Sequence, residues 1–572
     1  MISKLERRRR KGARRHQMTM PQEVPAPYGG LNTRDALNAM PPTDAVKLDN
    51  WFPSEGKVSV RSGYTETHDT GENGSDIEFM MEFRAGAYQQ LIVGVNNRLH
   101  EASYTSEGTA DGDTLNHLID STADFVTDGV TTDSIAINTT DSTYANVTGV
   151  LAADLTLDAD NFPDGDENYK ITTPIGTSYS SNRWMAVNFN GVMPLVNGAD
   201  APQQWDGSAI SAPSWTGIAD ASTLSGVAVH KFRLYFWTGI DQSFWYAAPN
   251  AVSGTLTEFD LSRVTGLGGN LINIKSWTID SGSGPDDFIC LIFSSGEVVV
   301  YQGDDPGTAA SWSIVGVYSL PEPLGGKRCC VKLGGDLKVI TNSDIVSMTQ
   351  TVQLGYEKMP RTKITGALSQ AATIHGSSFG WEVTVGPKGK TLTINQPDYN
   401  QTYNQLVMNT VTGAWCRYTG IATKAWNRFN GVAVFGGLDG KVYQMSGNTD
   451  ATAGITADAL QAWSALNMPF DKLAQQARPV ITAQGSISYG LALGFDFEDV
   501  EAPTPEAAAS SGSSWDSSPW DTSPWSTEGL VFKSWRSVSG QGQYLSASLT
   551  VNAKQEISWL KTDYRVTPIK NT

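Results

Sequence analysis

The sequence predicts an all-β protein: an irregular β-propeller of about six to eight blades, with a small inserted β-barrel or β-sandwich module and a mostly-β C-terminal region. Three observations predict it. The 572-residue chain is rich in Gly, Ser, Thr, Asn and Asp, whereas charged residues make up only 17%, which favours many turns and few exposed helices. Strand, turn, strand units recur at irregular intervals of about 40 to 60 residues once one polar interruption is removed. Those units share no catalytic residue, so the repeat carries architecture. A β-sandwich is the structural alternative, but radial repetition protects more strand edges.

Arg183 to Gly207 illustrates the unit. Met185, Val187 and Phe189 alternate with Ala186 and Asn188, Asn190-Gly191 supplies a two-residue turn, and Val192 to Val196 returns. Trp184 and Trp205 are expected to fill space between blades. Similar hairpins lie at Tyr88 to Ala102, Gly226 to Trp237, Phe288 to Gln302, Asp336 to Met348, Phe379 to Ile394 and Gly431 to Met445.

The chain begins with a basic arm, residues 1–20, in which Lys4, Arg7, Arg8, Arg9, Arg10, Lys11, Arg14 and Arg15 face one acid, Glu6. The net charge of −18 therefore leaves −25 for residues 21–572. Arg7, Arg8, Arg9, Arg10, Lys11, Arg14 and Arg15 are candidate contacts for DNA phosphates or an acidic partner surface, although no aromatics are interleaved for base stacking. A solvated or subunit-docking arm is the plainer alternative. The runs Leu91 to Val95 and Phe288 to Phe293 are too short to span a bilayer, and no apolar signal core opens the sequence. Cys290, Cys329, Cys330 and Cys416 include no C-x-x-C pair and read as free thiols of a reducing compartment.

Residues 21–66 contain no periodic element long enough to form a core, so they read as a strap packed on something else. Asp44 to Asn50 is expected to make a helical turn and Lys57 to Arg61 a short strand. Residues 67–103 hold the first propeller strands. Residues 104–175, rich in Thr, Asp and Asn, contain four short alternating strands and read as the inserted module. Residues 176–446 form the propeller body. The C-terminal region, 447–572, has a helix-compatible run at Ala459 to Ala477, three strand-like runs, and a loop at 501–528. In that loop Trp515, Trp520 and Trp525 recur every five residues, a spacing that fits neither helix nor strand. These three are interface candidates, facing either the same subunit or a neighbour.

The run GGLNTRDALNAMPPTDAVKLDNWFP (Gly29 to Pro53), followed by RSGY (Arg61 to Tyr64), resembles the N-terminal signature of the tail tubular protein B, or tail nozzle, family of short-tailed bacteriophages. NNRLHEA near residue 100, TGAW (Thr412 to Trp415) and FGGLDGKVYQM (Phe435 to Met445) follow in the family's general order. The resemblance implies a structural virion protein, made in the host bacterial cytoplasm. It implies a hexameric ring extending the DNA channel below an adaptor protein, with tail fibres or spikes at its side, double-stranded DNA passing through the lumen, and a gate on genome ejection. An acidic lumen would repel that DNA, since Lys and Arg contacts supply most nonspecific affinity.

Two rival readings remain. A receptor-binding or fibre-anchoring tail protein would use the tryptophan loop and the insert for recognition. A propeller enzyme acting on polysaccharide would need chemistry that the sequence does not display. Val385 to Thr391, VGPKGKT, resembles a phosphate loop, but Thr384 stands where its first glycine is required, and the segment sits in a hairpin. His16, His68, His100, His117, His230 and His375 form no H-x-x-x-H pair. Asp158, Asp160, Asp164 and Asp166 lack calcium-loop spacing because Phe162 occupies a ligand position. No catalytic, cofactor or metal residue is assigned, and the protein is read as a non-enzyme.

Overall fold

The structure, a computed structural model, describes residues 20–86, 88–278, 288–398, 402–505 and 530–569. The candidate residues Arg7, Arg8, Arg9, Arg10, Lys11, Arg14, Arg15, Trp515, Trp520 and Trp525 lie outside them. The chain divides into two compact units. Both are built from β-sheet, and among the described residues no helix is long and apolar enough to cross a membrane.

The larger unit, residues 62–413 and 417–452, is a propeller of seven sheets following one another along the chain. The first blade contains Phe79–Ala85, Tyr88–Val95, Arg98–Glu101 and Pro174–Gly176. The second runs from Met185–Ala186 through Met193–Val196 and Gln203–Trp205 to Ile210–Ser211. The third contains Gly226–His230, Arg233–Trp237, Ser243–Tyr246 and Thr257–Asp260; the fourth, Leu271–Trp277, Phe288–Phe293, Glu297–Gly303 and Trp312–Ser319. The fifth begins with Cys330–Leu333, the sixth with Glu382–Val385, and the seventh with Ala425–Phe429. Each expected hairpin falls in a different blade.

Turn chemistry explains the regularity. Asn190 and Gly191 both take positive φ, 48° and 80°, the type I′ geometry whose twist matches antiparallel strands. Alternation then places Trp184 and Trp205 with Phe79, Phe83, Ile92 and Met193 in the seam between the first two blades. The first strand of the seventh blade packs beside that of the first, with Ile77, Met80, Val93, Ala425 and Val434 sharing one core. Strand Tyr64–Asp69, earlier in the chain than any blade, supplies the last strand of the seventh by pairing with Lys441–Met445. The ring is therefore closed by hydrogen bonds between remote segments.

The inserted module leaves the first blade after Arg98–Glu101 and returns at Pro174–Gly176. Its six antiparallel strands lie between Ser106 and Thr172. They enclose a separate core containing Leu118, Phe125, Val147, Leu155, Phe162, Tyr169 and Ile171. Phe162, which spoils the calcium-loop spacing, is wholly buried there. Two helices absent from the sequence expectation, Met348–Leu354 and Thr365–His375, lie between the fifth and sixth blades.

The smaller unit contains, of the described residues, 20–61, 414–416, 453–505 and 530–569. Met20–Pro25 and Lys57–Val60 both pair with Ile557–Pro568, and Asp44–Asp49 pairs with Ala453–Gln461. Thus the expected helical turn at Asp44 to Asn50 is replaced by strand Asp44–Asp49 and a bend at Asn50. The helix expected at Ala459 to Ala477 is likewise replaced by Ala453–Gln461 and Lys472–Ala483. The two-strand pairing of Lys472–Ala483 breaks register between Ala474 and Gln476, so Ala474 and Ala477 are both buried despite their three-residue separation. A β-bulge thereby imitates helical spacing.

Candidate functional site at the propeller axis

The segment GGKRCC, Gly325 to Cys330, leads into the first strand of the fifth blade. Gly325 adopts φ 85°, and a Cβ there would stand 2.7 Å from the Trp381 carbonyl oxygen, so both backbone conformation and close approach require glycine. The following 3-10 turn, Gly326–Arg328, carries two adjacent basic side chains.

Lys327 Nζ donates to the Arg183 carbonyl before the second blade and, at 3.0 Å, to the Ser225 carbonyl before the third. Asn273 of the fourth donates its Nδ2 to the Lys327 carbonyl at 2.7 Å. Arg328 donates to the Glu78 carbonyl before the first blade and, at 2.9 Å, to the Lys424 carbonyl before the seventh. Its guanidinium also lies 3.9 Å from the Glu382 carboxylate of the sixth. Three of these acceptors, Glu78, Ser225 and Lys424, immediately precede the first strand of a blade, and Arg183 stands one residue farther back. Two consecutive side chains and one carbonyl thus tie the fifth blade to the other six.

Electrostatics keep this hub under tension. Lys327 is half-buried, with its Nζ held by two carbonyls. Burial, then repulsion from Arg328 and Arg183, lowers its pKa from 10.5 to about 7. Burial raises the Glu382 carboxyl above its ordinary range, opposed by Arg328 and by the Trp426 N–H, which donates to it at 3.0 Å. The guanidinium groups of Arg183 and Arg328 lie 4.1 and 5.0 Å from the Phe379 ring, within cation–π reach.

Two cavities meet this crossing. One, of about 330 Å³, is lined by Arg183, Gly325, Gly326 and residues 376–381. The other, about 610 Å³, extends along the inner strands and includes Trp184, Lys327 and Arg328 in its wall. Successive residues therefore line different cavities: Arg183 and Gly326 on one, Trp184 and Lys327 on the other.

No protein-family model and no curated protein matches this chain. Among solved structures, it is similar to Sqt1 of Saccharomyces cerevisiae at 8% identity and a TM-score of 0.37, over 68% of this chain and 98% of that one. Sqt1 of Chaetomium thermophilum is similar at 8% identity and a TM-score of 0.33, over 68% and 97%. YCF48 bound to a D1 peptide gives 10% identity and a TM-score of 0.29, over 60% and 98%. At these values nothing of their activities transfers to this protein.

The other sequence candidates have structural surroundings. Pro387–Gly389 is a 3-10 turn joining two strands of the sixth blade, with Lys388 at φ 57°. Asp158 accepts from the Asn146 backbone and side chain at 2.8 and 2.7 Å. Among the described residues no group of three or more His, Cys, Asp or Glu side chains is arranged to hold a metal ion. The four cysteines are buried, and none is joined in a disulfide among the described residues. Sequence reasoning missed the hub; its available signal was Lys327-Arg328 directly after Gly325-Gly326 and before Cys329-Cys330 in an otherwise acidic body.

Proposed function

We propose that this protein is a structural component of a virion, the nozzle of a short phage tail, assembled as a ring through whose lumen double-stranded DNA leaves. The observation that carries this reading is the use made of the polar residues in the resembling N-terminal run. Asn32 Nδ2 donates to Asp35 and to Asp44, each at 2.8 Å; Arg61 Nε donates to Asn50 Oδ1 at 2.8 Å, while Asn50 Nδ2 donates to the Thr456 carbonyl at 2.8 Å. These side chains secure the fold of the resembling run, which supports the structural role that the resemblance implies.

In this reading the conduit lies between copies of the chain, because Lys327 and Arg328 cross the axis of each propeller. The basic arm belongs at a subunit or adaptor junction, or contacts DNA locally, and the tryptophan loop serves an interface. Native mass measurement, alone and with the tail adaptor protein, tests the proposal. A hexamer of 61.6 kDa chains, alone or on adding the adaptor, is expected. A chain that stays monomeric or trimeric in both conditions overturns the reading and favours a receptor-binding role.

A further inference from the structure

The larger axial cavity has a charge opposite to that of the protein around it. Among the described residues its wall presents Arg84, Lys275, Lys327, Arg328, Lys332 and Arg428 against two carboxylates, Glu82 and Glu382. Both carboxylates are already engaged. Glu82 accepts from Arg84 at 2.9 Å, from Gln89 at 2.8 Å and from the Asn430 backbone at 3.2 Å. Glu382 accepts from the Trp426 backbone and faces Arg328. In a body with excess negative charge, this wall gathers positive charge.

The topology explains how. Arg84, Lys332 and Arg428 each occupy the penultimate position of an inner strand, Phe79–Ala85, Cys330–Leu333 and Ala425–Phe429. The hub gathers the beginnings of the inner strands, so these positions lie toward their other ends. Lys275 stands farther inside, in Leu271–Trp277. The result is a cationic mouth leading to a cationic wall and closed by Lys327 and Arg328.

We propose that this cavity binds a small oligophosphate, admitted at the mouth by Arg84, Lys332 and Arg428 and held deeper by Lys275. The volume, about 610 Å³, falls in the range of roughly 300–1,000 Å³ typical of small-molecule sites. Several negative charges within a short chain match this excess of cations, with lysines acting as point charges and arginines as forks. Met80, Met185 and Trp426 also line the wall, so the phosphates can enter bare or as a nucleotide ester.

Calorimetric titration of the full chain with sodium tripolyphosphate, ATP and adenosine tests the assignment. Saturable binding of tripolyphosphate or ATP, but not adenosine, is expected, weakening with salt. Tripolyphosphate binding identifies the phosphate chain as sufficient; binding of ATP alone identifies a nucleotide ester. Lys275→Met and Arg428→Gln should each weaken binding about tenfold or more. Arg428 is exposed, so Arg428→Gln maintains the test if Lys275→Met fails to fold. Absence of saturable binding, or unchanged affinity in Arg428→Gln, overturns the proposal; the latter result places the anion elsewhere, such as on the basic arm. Ring mass measured in parallel distinguishes this outcome from failure of the nozzle reading.

Discussion

The third and fourth blades are joined in a manner opposite to the junction at the propeller axis. Their seam is hydrocarbon and aromatic: Tyr235, Trp237, Phe244, Leu271, Ile274 and Val299 are buried together, and Tyr301 stacks on Trp312 with centroids 5.1 Å apart. Each such side chain contributes about 1.5–3 kcal/mol when fully buried. At the axis, the carbonyls of Glu78, Arg183, Ser225 and Lys424, just before inner strands, accept from Lys327 and Arg328. An apolar plug would leave those acceptors unpaired, a cost of about 1–3 kcal/mol each, so Lys327 and Arg328 answer them with hydrogen bonds. Blades can share apolar area along their faces, but where they converge they share backbone acceptors.

The largest expected effect comes from breaking the axial side of this comparison. Arg328→Ala removes donors to two carbonyls and the cation facing Glu382, and should cost about 3–5 kcal/mol in denaturant unfolding. A loss below about 1 kcal/mol would mean that the seams alone hold the ring. Next is a dependence on pH. The folded pKa of Lys327, about 7, lies below its ordinary 10.5, so the folded state binds fewer protons than the unfolded state between those values. Wild-type stability should consequently rise relative to Lys327→Met from about pH 7 toward pH 10, by less than about 1.4 kcal/mol per pH unit. Below pH 7 the difference should be flat, and a difference that shrinks from pH 7 to 10 would refute the assignment. The smallest effect belongs to the seam: Ile274→Val should cost about 0.5–1.5 kcal/mol and show no such pH dependence.

The same contrast explains what could be read in advance. Blade hairpins declare themselves in residue identity, since Asn190-Gly191 suits only a few turns and alternating Val or Ile marks a buried strand face. The hub does not. Lys327 and Arg328 bind carbonyls belonging to Arg183, Ser225, Glu78 and Lys424, and any residue type offers a carbonyl, so no complementary pattern exists in the sequence. The signal available was local: Lys327-Arg328 between Gly325-Gly326 and Cys329-Cys330. The expected helix at Ala459 to Ala477 failed for a related reason: the bulge near Ala474 alters which face a strand residue occupies, and its presence depends on pairing with Ile557–Pro568. Arg84, Lys332 and Arg428 are scattered in sequence and become a mouth only after the inner strands are arranged around one axis.

The strand that closes the ring has a consequence for biosynthesis. Thr67 meets the Val442 carbonyl at 3.0 Å across a sequence separation of 375 residues. At about 5–20 residues per second, the ribosome needs roughly 20–75 s to deliver the second partner after the first. Throughout that interval Tyr64–Asp69 awaits the strand it pairs with in the finished blade. Slow elongation lengthens that wait, so the ring closes only late in synthesis.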